Sequence, residues 1–399
     1  MDNTTTLHAV IQHGRHRLER AGIEPVEAAL DAELLARHAL GGWERGQLIA
    51  NWREPAPAGF GERFDPLVER RERREPTAYI TGHREFWGIE IEVEAGVLIP
   101  RPETEFIVEE ALARLTPDPR PLGSETTVPP RPRSRQPPLD AARGGPELAE
   151  GPAKRVLERR VLQTDAHRLR SGLAVGLVRG AASESVLPLE RAAAPAGSPE
   201  TRSPLASPKP SRAGAGGGGN PESRAARRAL RIADIGTGSG CLAIALARWL
   251  PSAHVVATDL SAAALAVAAR NVSRHDVQDR VTLVRCELLD ATTGPFDLIV
   301  SNPPYIPTGD LSSLQPEILN YEPRLALDAG PDGLDLIRRL VPMAASRLVP
   351  GGWLIFEFGD EQVTGVREII TAEPSLAVVA LRDDLAGIPR VAVARHVKA

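Results

Sequence analysis

Residues 230–240 read LRIADIGTGSG and run directly into CLAIALARWL, residues 241–250. The first six are a strand-like apolar run closing on Asp234 and Ile235. Gly236, Gly238 and Gly240 follow, and then apolar residues at helical density. A strand passing into a helix through glycines is the opening unit of an open α/β sheet, whose ligands gather at the carboxyl edge of the strands. Glycines there let the backbone turn tightly and let a ligand approach without Cβ atoms in the way. The spacing is GxGxG, and Cys241 stands where a dinucleotide fingerprint has its third glycine, which disfavours a nicotinamide dinucleotide.

Downstream, further apolar runs follow: HVVATD, VTLVR, FDLIVS, WLIFEFG, LAVVALR and RVAVAR. With ALRIADI they make seven predicted strands. Helical stretches are expected between the first five, which implies a mainly parallel sheet with helices on both faces. The last two runs are too close for a helix between them and are expected to form an antiparallel hairpin at one edge.

Upstream, residues 1–75 show helical periodicity and are read as a small helical domain. In VEAALDAELLARHALGG, Val26, Ala29, Leu30 and Leu34 are expected to form the apolar face, with Gly41 and Gly42 ending the helix. Residues 76–116 hold a predicted β-hairpin in YITGHREFWGIEIEVEAGVLIP, and then a helix starting near Pro102 that carries Phe106, Ile107, Ala111 and Leu115. Residues 117–228 contain 17 of the chain's 36 prolines. They are read as a disordered insertion, with a short helix around Lys154 to Arg170. Residues 229–399, which hold the seven strand runs, are expected to form the α/β domain.

The second strand run ends in Asp259, twenty-five residues after Asp234. A carboxylate at that strand tip accepts hydrogen bonds from ribose hydroxyls of a nucleoside cofactor. Ser261 is better placed than Asp259 to cap the helix that follows. The third run ends in Cys286-Glu287-Leu288-Leu289, where Glu287, or alternatively Asp290, would hold an adenine amine beside Leu288. The fourth run stops at Asn302-Pro303-Pro304-Tyr305. Two prolines remove two backbone donors and force extended backbone before them. What remains is a wall of acceptors, the Asn302 side-chain oxygen and the Pro303 carbonyl. An NH2 group on a planar sp2 system can donate both hydrogens to that pair, with Tyr305 packed on its plane.

Composition narrows the class further. Cys241 and Cys286 are the two cysteines, in no metal-binding spacing, and are expected to be buried free thiols. No membrane-length apolar run or signal peptide is present, so a cytoplasmic location is expected. The net charge of −4 is uneven. Between 117 and 228 there are 19 Lys and Arg against 11 Asp and Glu, a net +8, which leaves −12 on the rest. An acidic core disfavours nucleic acid as its stable partner. That weighs against the alternative of a nucleic-acid adenine amino-methyltransferase, whose substrate amine would fit the same acceptors.

The segments EPTAYITGHREFWG, LIPRPETE, ADIGTGSG, VVATDLS and FDLIVSNPPYIP together resemble the peptide chain release factor glutamine methyltransferase family, over most of residues 1–116 and 229–399. The resemblance implies a class I, Rossmann-like methyltransferase fold with S-adenosyl-L-methionine as cofactor. It implies methyl transfer to the glutamine amide of the GGQ loop in release factors; separately, a monomer and no metal are expected. Carried onto this sequence, Asp234 and the turn Gly236, Thr237, Gly238, Ser239 and Gly240 would serve the methionine part of the cofactor. Asp259 would serve the ribose and Leu288 the adenine region. Asn302 would touch cofactor and substrate, and Asn302, Pro303, Pro304 and Tyr305 would hold the glutamine amide. Two departures stand out: the insertion before the first strand, and Glu287-Leu288 where the family often has Asp and an aromatic residue.

Overall fold

The computed structural model describes residues 5–116 and 229–397. The expectations for 117–228, including the helix around Lys154 to Arg170, fall outside the described residues.

The N-terminal part is built from α1 (Leu7–Arg20), α2 (Pro25–Ala39), α3 (Arg45–Ala50) and α4 (Phe60–Glu72). Thr6 caps α1 by accepting from the Ala9 amide, and Glu24 caps α2 ahead of Pro25. Gly41 and Gly42 end α2 in left-handed backbone, as read. The apolar face expected for α2 lies about half a turn away from the buried one. Val26 and Leu34 are exposed, and the buried stripe is Ala28, Ala32, Leu35, Ala36 and Ala39 with Asp31. The small alanines bring α2 close to α1 and α4, and Asp31 is buried because the Arg71 guanidinium donates to it at 2.7 Å. Arg71, 1% exposed, also donates to Glu27 and, across 246 residues of sequence, to Glu317 at 2.8 Å. Three carboxylates thus satisfy one buried cation.

A short helix, α5 (Thr77–Thr81), precedes the hairpin, which is smaller than expected: β1 (His83–Phe86) pairs with β2 (Ile89–Glu92). Thr77 to Ile80 are helical because the Tyr79, Ile80 and Gly82 amides find acceptors in Pro76 and Ala78. A 3-10 turn over Pro102–Thr104 then leads into α6 (Glu105–Leu115).

The C-terminal part is a seven-stranded sheet of β3 (Leu230–Ile235), β4 (Ala253–Asp259), β5 (Val281–Arg285), β6 (Phe296–Ser301), β7 (Leu348–Glu357), β8 (Leu376–Asp383) and β9 (Pro389–His396). Its order is β5-β4-β3-β6-β7-β9-β8, with β9 alone antiparallel to its neighbours. All seven predicted strands are present, and the edge hairpin is β8–β9. Ile232, Leu298, Val300 and Ile355 face one core, together with the hairpin, α6 and α7 (Cys241–Trp249). Ala233, Ile299, Leu354 and Phe356 face the other, under α10 (Asp335–Arg347) and α11 (Val363–Thr371). This alternation is what a sheet buried on both faces requires. α8 (Ala262–Arg274) follows β4, and α9 (Pro316–Tyr321) lies between β6 and β7. The helix expected between β5 and β6 is absent: residues 286–295 form turns, and Gly294 and Pro295 leave too short a run for helical turns to develop. Among the described residues no helix is long and apolar enough to cross a membrane.

Gly14 shows how tightly the bundle is packed. A Cβ there would lie 2.7 Å from the Phe64 ring, which is fully buried and stacked on Phe60 at 5.1 Å. An alanine in mid-helix ordinarily gains about 0.5–1 kcal/mol over glycine, whereas overpacking costs about 1–3 kcal/mol. The overpacking term wins because the ring cannot move away. Gly14→Ala is therefore expected to lower unfolding free energy by about 1–2 kcal/mol, read from urea melts; a stabilised variant would show that the ring yields.

Candidate active site

The turn after β3 holds Gly236, Gly238 and Gly240 at φ +69°, +55° and +86°, backbone that other residues adopt only with strain. Asp234 lies fully buried behind it. Its Oδ2 accepts from the Thr237 hydroxyl at 2.6 Å and from the Ala243 amide at 3.1 Å, so it ties the turn to the first residues of α7. Burial pushes the Asp234 carboxyl up to about 7, against the pull of those two bonds. A Cβ on Gly236 would meet nothing within 4 Å, while one on Gly240 would press on Ala268 of α8 at 3.3 Å. Gly236 and Gly238 thus open toward the cavity, and Gly240 serves helix packing.

A cavity of about 580 Å³ spreads over this turn. Asp259 stands at its edge, half-buried, with Oδ2 accepting from the Gly238 amide and Oδ1 from the Ser261 amide. Burial raises its pKa from the ordinary carboxylate value. The cap of α8 is Ser261, whose hydroxyl accepts from Ala264, so Asp259 is not needed for that role. Glu287, Leu288 and Cys286 are on the wall. Leu288 is buried at φ +47°, and its carbonyl accepts from the Thr258 hydroxyl at 2.7 Å. Glu287 is exposed and paired with Arg339 at 2.6 Å, which lowers its pKa. Asp290 is exposed and stands apart from the wall. Cys241 is buried as expected, but Cys286 is half-buried, because it opens onto the cavity.

Gly96, Val97 and Leu98 close the cavity from the hairpin side. The Tyr79 hydroxyl holds them by donating to the Val97 carbonyl at 2.5 Å, and Asn271 of α8 pins the end of β2 before them. Asn271 donates to the Glu92 and Ser239 carbonyls and accepts from the Glu92 amide. One buried amide therefore binds hairpin, glycine turn and helix together.

At the end of β6, Asn302 and Pro304 line the cavity, while Pro303 is buried. The Asn302 Nδ2 donates to the Thr104 hydroxyl at 2.8 Å, and that hydroxyl donates to Glu357 Oε2 at 2.7 Å. The Tyr305 hydroxyl donates to Glu357 Oε1 at 3.1 Å. Burial pushes the Glu357 carboxyl up to about 7, opposed by the bonds from Thr104 and Tyr305 and by the Arg390 charge. The segment beyond folds back, with Ile306 bridged to Asp328, and brings Pro323 and Leu325 onto the far wall.

The family model of the PrmC N-terminal domain matches residues 9–82, and that of the Methyltransferase small domain matches 223–319. A release factor glutamine methyltransferase of Bradyrhizobium diazoefficiens is 33% identical over 95% of this chain and 91% of its own. That of Geobacter sulfurreducens is 33% identical over 90% and 87%, and that of Moorella thermoacetica 31% over 96% and 96%. The chain belongs to the release factor glutamine methyltransferase family.

In this family member the structure brings Gly236, Thr237, Gly238, Ser239, Asp259, Glu287, Leu288, Asn302 and Pro304 to one cavity. Asp234 and Gly240 stand behind it and shape the turn. Tyr305 directs its hydroxyl to Glu357 rather than into the cavity, and its carbonyl accepts from Gln362. Thr104, Glu357 and Asn271 were missed. Glu357 was detectable, as a carboxylate near the carboxyl end of the apolar run WLIFEFG, where ligand-facing groups of such sheets lie. Asn271, on a helix, carries no such local signal.

Because the folded-state pKa of Asp234 is raised, its contribution to stability is complete below the unfolded pKa of about 4 and is lost as pH rises through about 7. Asp234→Asn keeps an acceptor for Thr237 and Ala243 without the buried charge. It is expected to flatten the fall in unfolding free energy between about pH 5 and 7, measured by denaturant titration of the cofactor-free protein. A slope identical to wild type would contradict the raised pKa.

Proposed function

We propose that this family member transfers a methyl group from S-adenosyl-L-methionine to the side-chain amide nitrogen of the glutamine in the GGQ motif of peptide chain release factors. The observation that carries the reading is the placement of Asn302 on the wall of the same cavity as the glycine turn and Asp259. The alternative of an adenine amine has no feature here that favours it over a glutamine amide.

The residues present fit the cofactor. Thr237, Gly238 and Ser239 line the cavity, so hydroxyl and backbone groups of the turn face the space a ligand would take. The open space over Gly236 and the half-buried Asp259 carboxylate suit a methionine chain and a ribose. Asp259 would accept the ribose hydroxyls, Leu288 would cover the adenine, and Glu287 is the nearer of the two candidates for its amine. When bound, the cofactor supplies an electrophilic methyl on a positive sulfonium, so a neutral amide nitrogen suffices as nucleophile.

Asn302 Oδ1 and the Pro303 carbonyl would accept the two N–H bonds of the glutamine amide and turn its nitrogen toward that methyl. No strong base is required, because the nitrogen becomes acidic once its lone pair is committed and releases its proton late. Tyr305, through Glu357, stiffens the turn. Residues 1–75 are proposed to recognise the release factor, with the catalytic chemistry confined to 229–399 and the segment 76–116 between them. The location proposed is the cytoplasm.

Asn302→Ala is expected to retain cofactor binding and to lose turnover on the order of a hundredfold, measured with labelled cofactor and purified release factor. Mass spectrometry is expected to place the methyl on the GGQ glutamine; a methyl elsewhere would overturn the assignment. Asp259→Ala should weaken cofactor binding by about 1.5–3 kcal/mol through lost charged hydrogen bonds. Unchanged affinity in calorimetry would exclude the ribose role.

A further inference from the structure

An asparagine side chain has two faces of nearly identical shape, one accepting and one donating. The proposed chemistry needs the accepting face toward the substrate, and nothing in the NPPY sequence decides which face that is. The groups behind Asn302 do. Thr104 and Glu357 are both buried, 2% and 1% exposed, so their hydrogen bonds have no water to exchange with. When ionised, the Glu357 carboxyl offers only acceptors, and its two oxygens receive the Tyr305 and Thr104 hydroxyls. Each hydroxyl has a single hydrogen. Thr104 spends its hydrogen on Glu357 and is left with lone pairs, so the group facing it at 2.8 Å must be a donor. That donor is the Asn302 NH2, and the oxygen is left for the cavity.

We propose that Thr104 and Glu357 form a one-way hydrogen-bond relay that locks the Asn302 amide with its oxygen toward the substrate, and so select a primary amide over a carboxylate. The proposal rests on the reading that Asn302 accepts from the glutamine amide. Thr104 is a positioning residue, acting through Asn302. A glutamate in the same position would set its oxygens against the Asn302 oxygen, an unpaired contact that the relay prevents Asn302 from escaping by flipping. A flipped Asn302 would instead turn its NH2 to the substrate, oppose the amide and welcome the carboxylate. The relay spans the 3-10 turn before α6, the tip of β6 and the end of β7, so three elements far apart in sequence set one side-chain orientation.

The test uses the full-length protein on the alkaline side of neutrality, where Glu357 is ionised. Thr104→Val keeps the shape of the side chain and deletes the hydroxyl. Its kcat is expected to fall on the order of tenfold or more, with little change in KM for the cofactor, and Thr104→Ser is expected to recover most of the loss. A release factor carrying Gln→Glu in its GGQ motif should compete on the order of tenfold or more less well than the unmodified factor against the wild-type enzyme, and should gain on Thr104→Val. In an Asn302→Ala background, Thr104→Val should cost nothing further.

If Thr104→Val turns over at the wild-type rate while Asn302→Ala is impaired, the relay is wrong and the role of Asn302 stands. If Asn302→Ala also turns over normally, the reading of Asn302 falls and the relay with it. Should Thr104→Val fail to fold, the competition experiment on the wild-type and Thr104→Ser enzymes decides: equal inhibition by the Gln and Glu factors overturns the proposal.

Discussion

Parallel pairing in register governs this molecule. Ile235 lies beside Thr258 and Ser301, Asp259 beside Arg285, and Ser301 beside Phe356, so the strands β3 to β7 finish at one edge. The residues that follow those ends, separated by 25 or 68 positions in the chain, then have no choice but to meet. A one-residue slip in any of these pairs would turn the next loop's side chains to the opposite face. The cavity is therefore a property of the sheet more than of any loop around it. The second constraint comes from the hairpin side, where Tyr79 holds Val97 and Asn271 ties Glu92 to the glycine turn. Neither half of the wall is complete without the other.

Much of this was legible in the sequence, and for a reason that can be named. Strands buried on both faces show as unbroken apolar runs, so ALRIADI and FDLIVS needed no knowledge of partners. Glycine turns and NPPY advertise themselves by what they lack, side chains at Gly236 and amide hydrogens at Pro303 and Pro304. The apolar face of α2 was misread because amphipathic patterns weigh Val26 and Leu34 above alanines. Close helix packing instead buried Ala28, Ala32 and Ala36, and an ion pair carried Asp31 inside. The stretch after β5 resembled a helix in composition and is a chain of turns. What stayed hidden at the site was the bond between Thr104 and Glu357, which reaches across 253 residues. No window of local sequence contains both ends of such a bond.

The buried charges separate into two kinds. Around Arg71 the carboxylates face a cation: burial of Glu317 is outweighed by Arg71 and Arg74 and its pKa is lowered, while burial raises that of Asp31 against the pull of Arg71. At Asp234 and Glu357 hydroxyl and amide donors face the carboxyl group and burial dominates, so the pKa rises. The first arrangement joins elements; the second holds functional groups in place at a cost in stability.

The Arg71 cluster also bears on how the chain is made. A ribosome delivers Arg71 together with Glu27 and Asp31, so the helical bundle can close around its cation early. Glu317 emerges 246 residues afterwards, once β3 to β6 have been synthesised. Until then the third corner of the guanidinium must be left to water, and the bundle carries an open polar notch on its surface. Arrival of Glu317, with Tyr321 donating to the Arg73 carbonyl, fills that notch. The segment that seals the bundle is thus the one that, a few residues on, supplies Pro323 and Leu325 to the cavity wall.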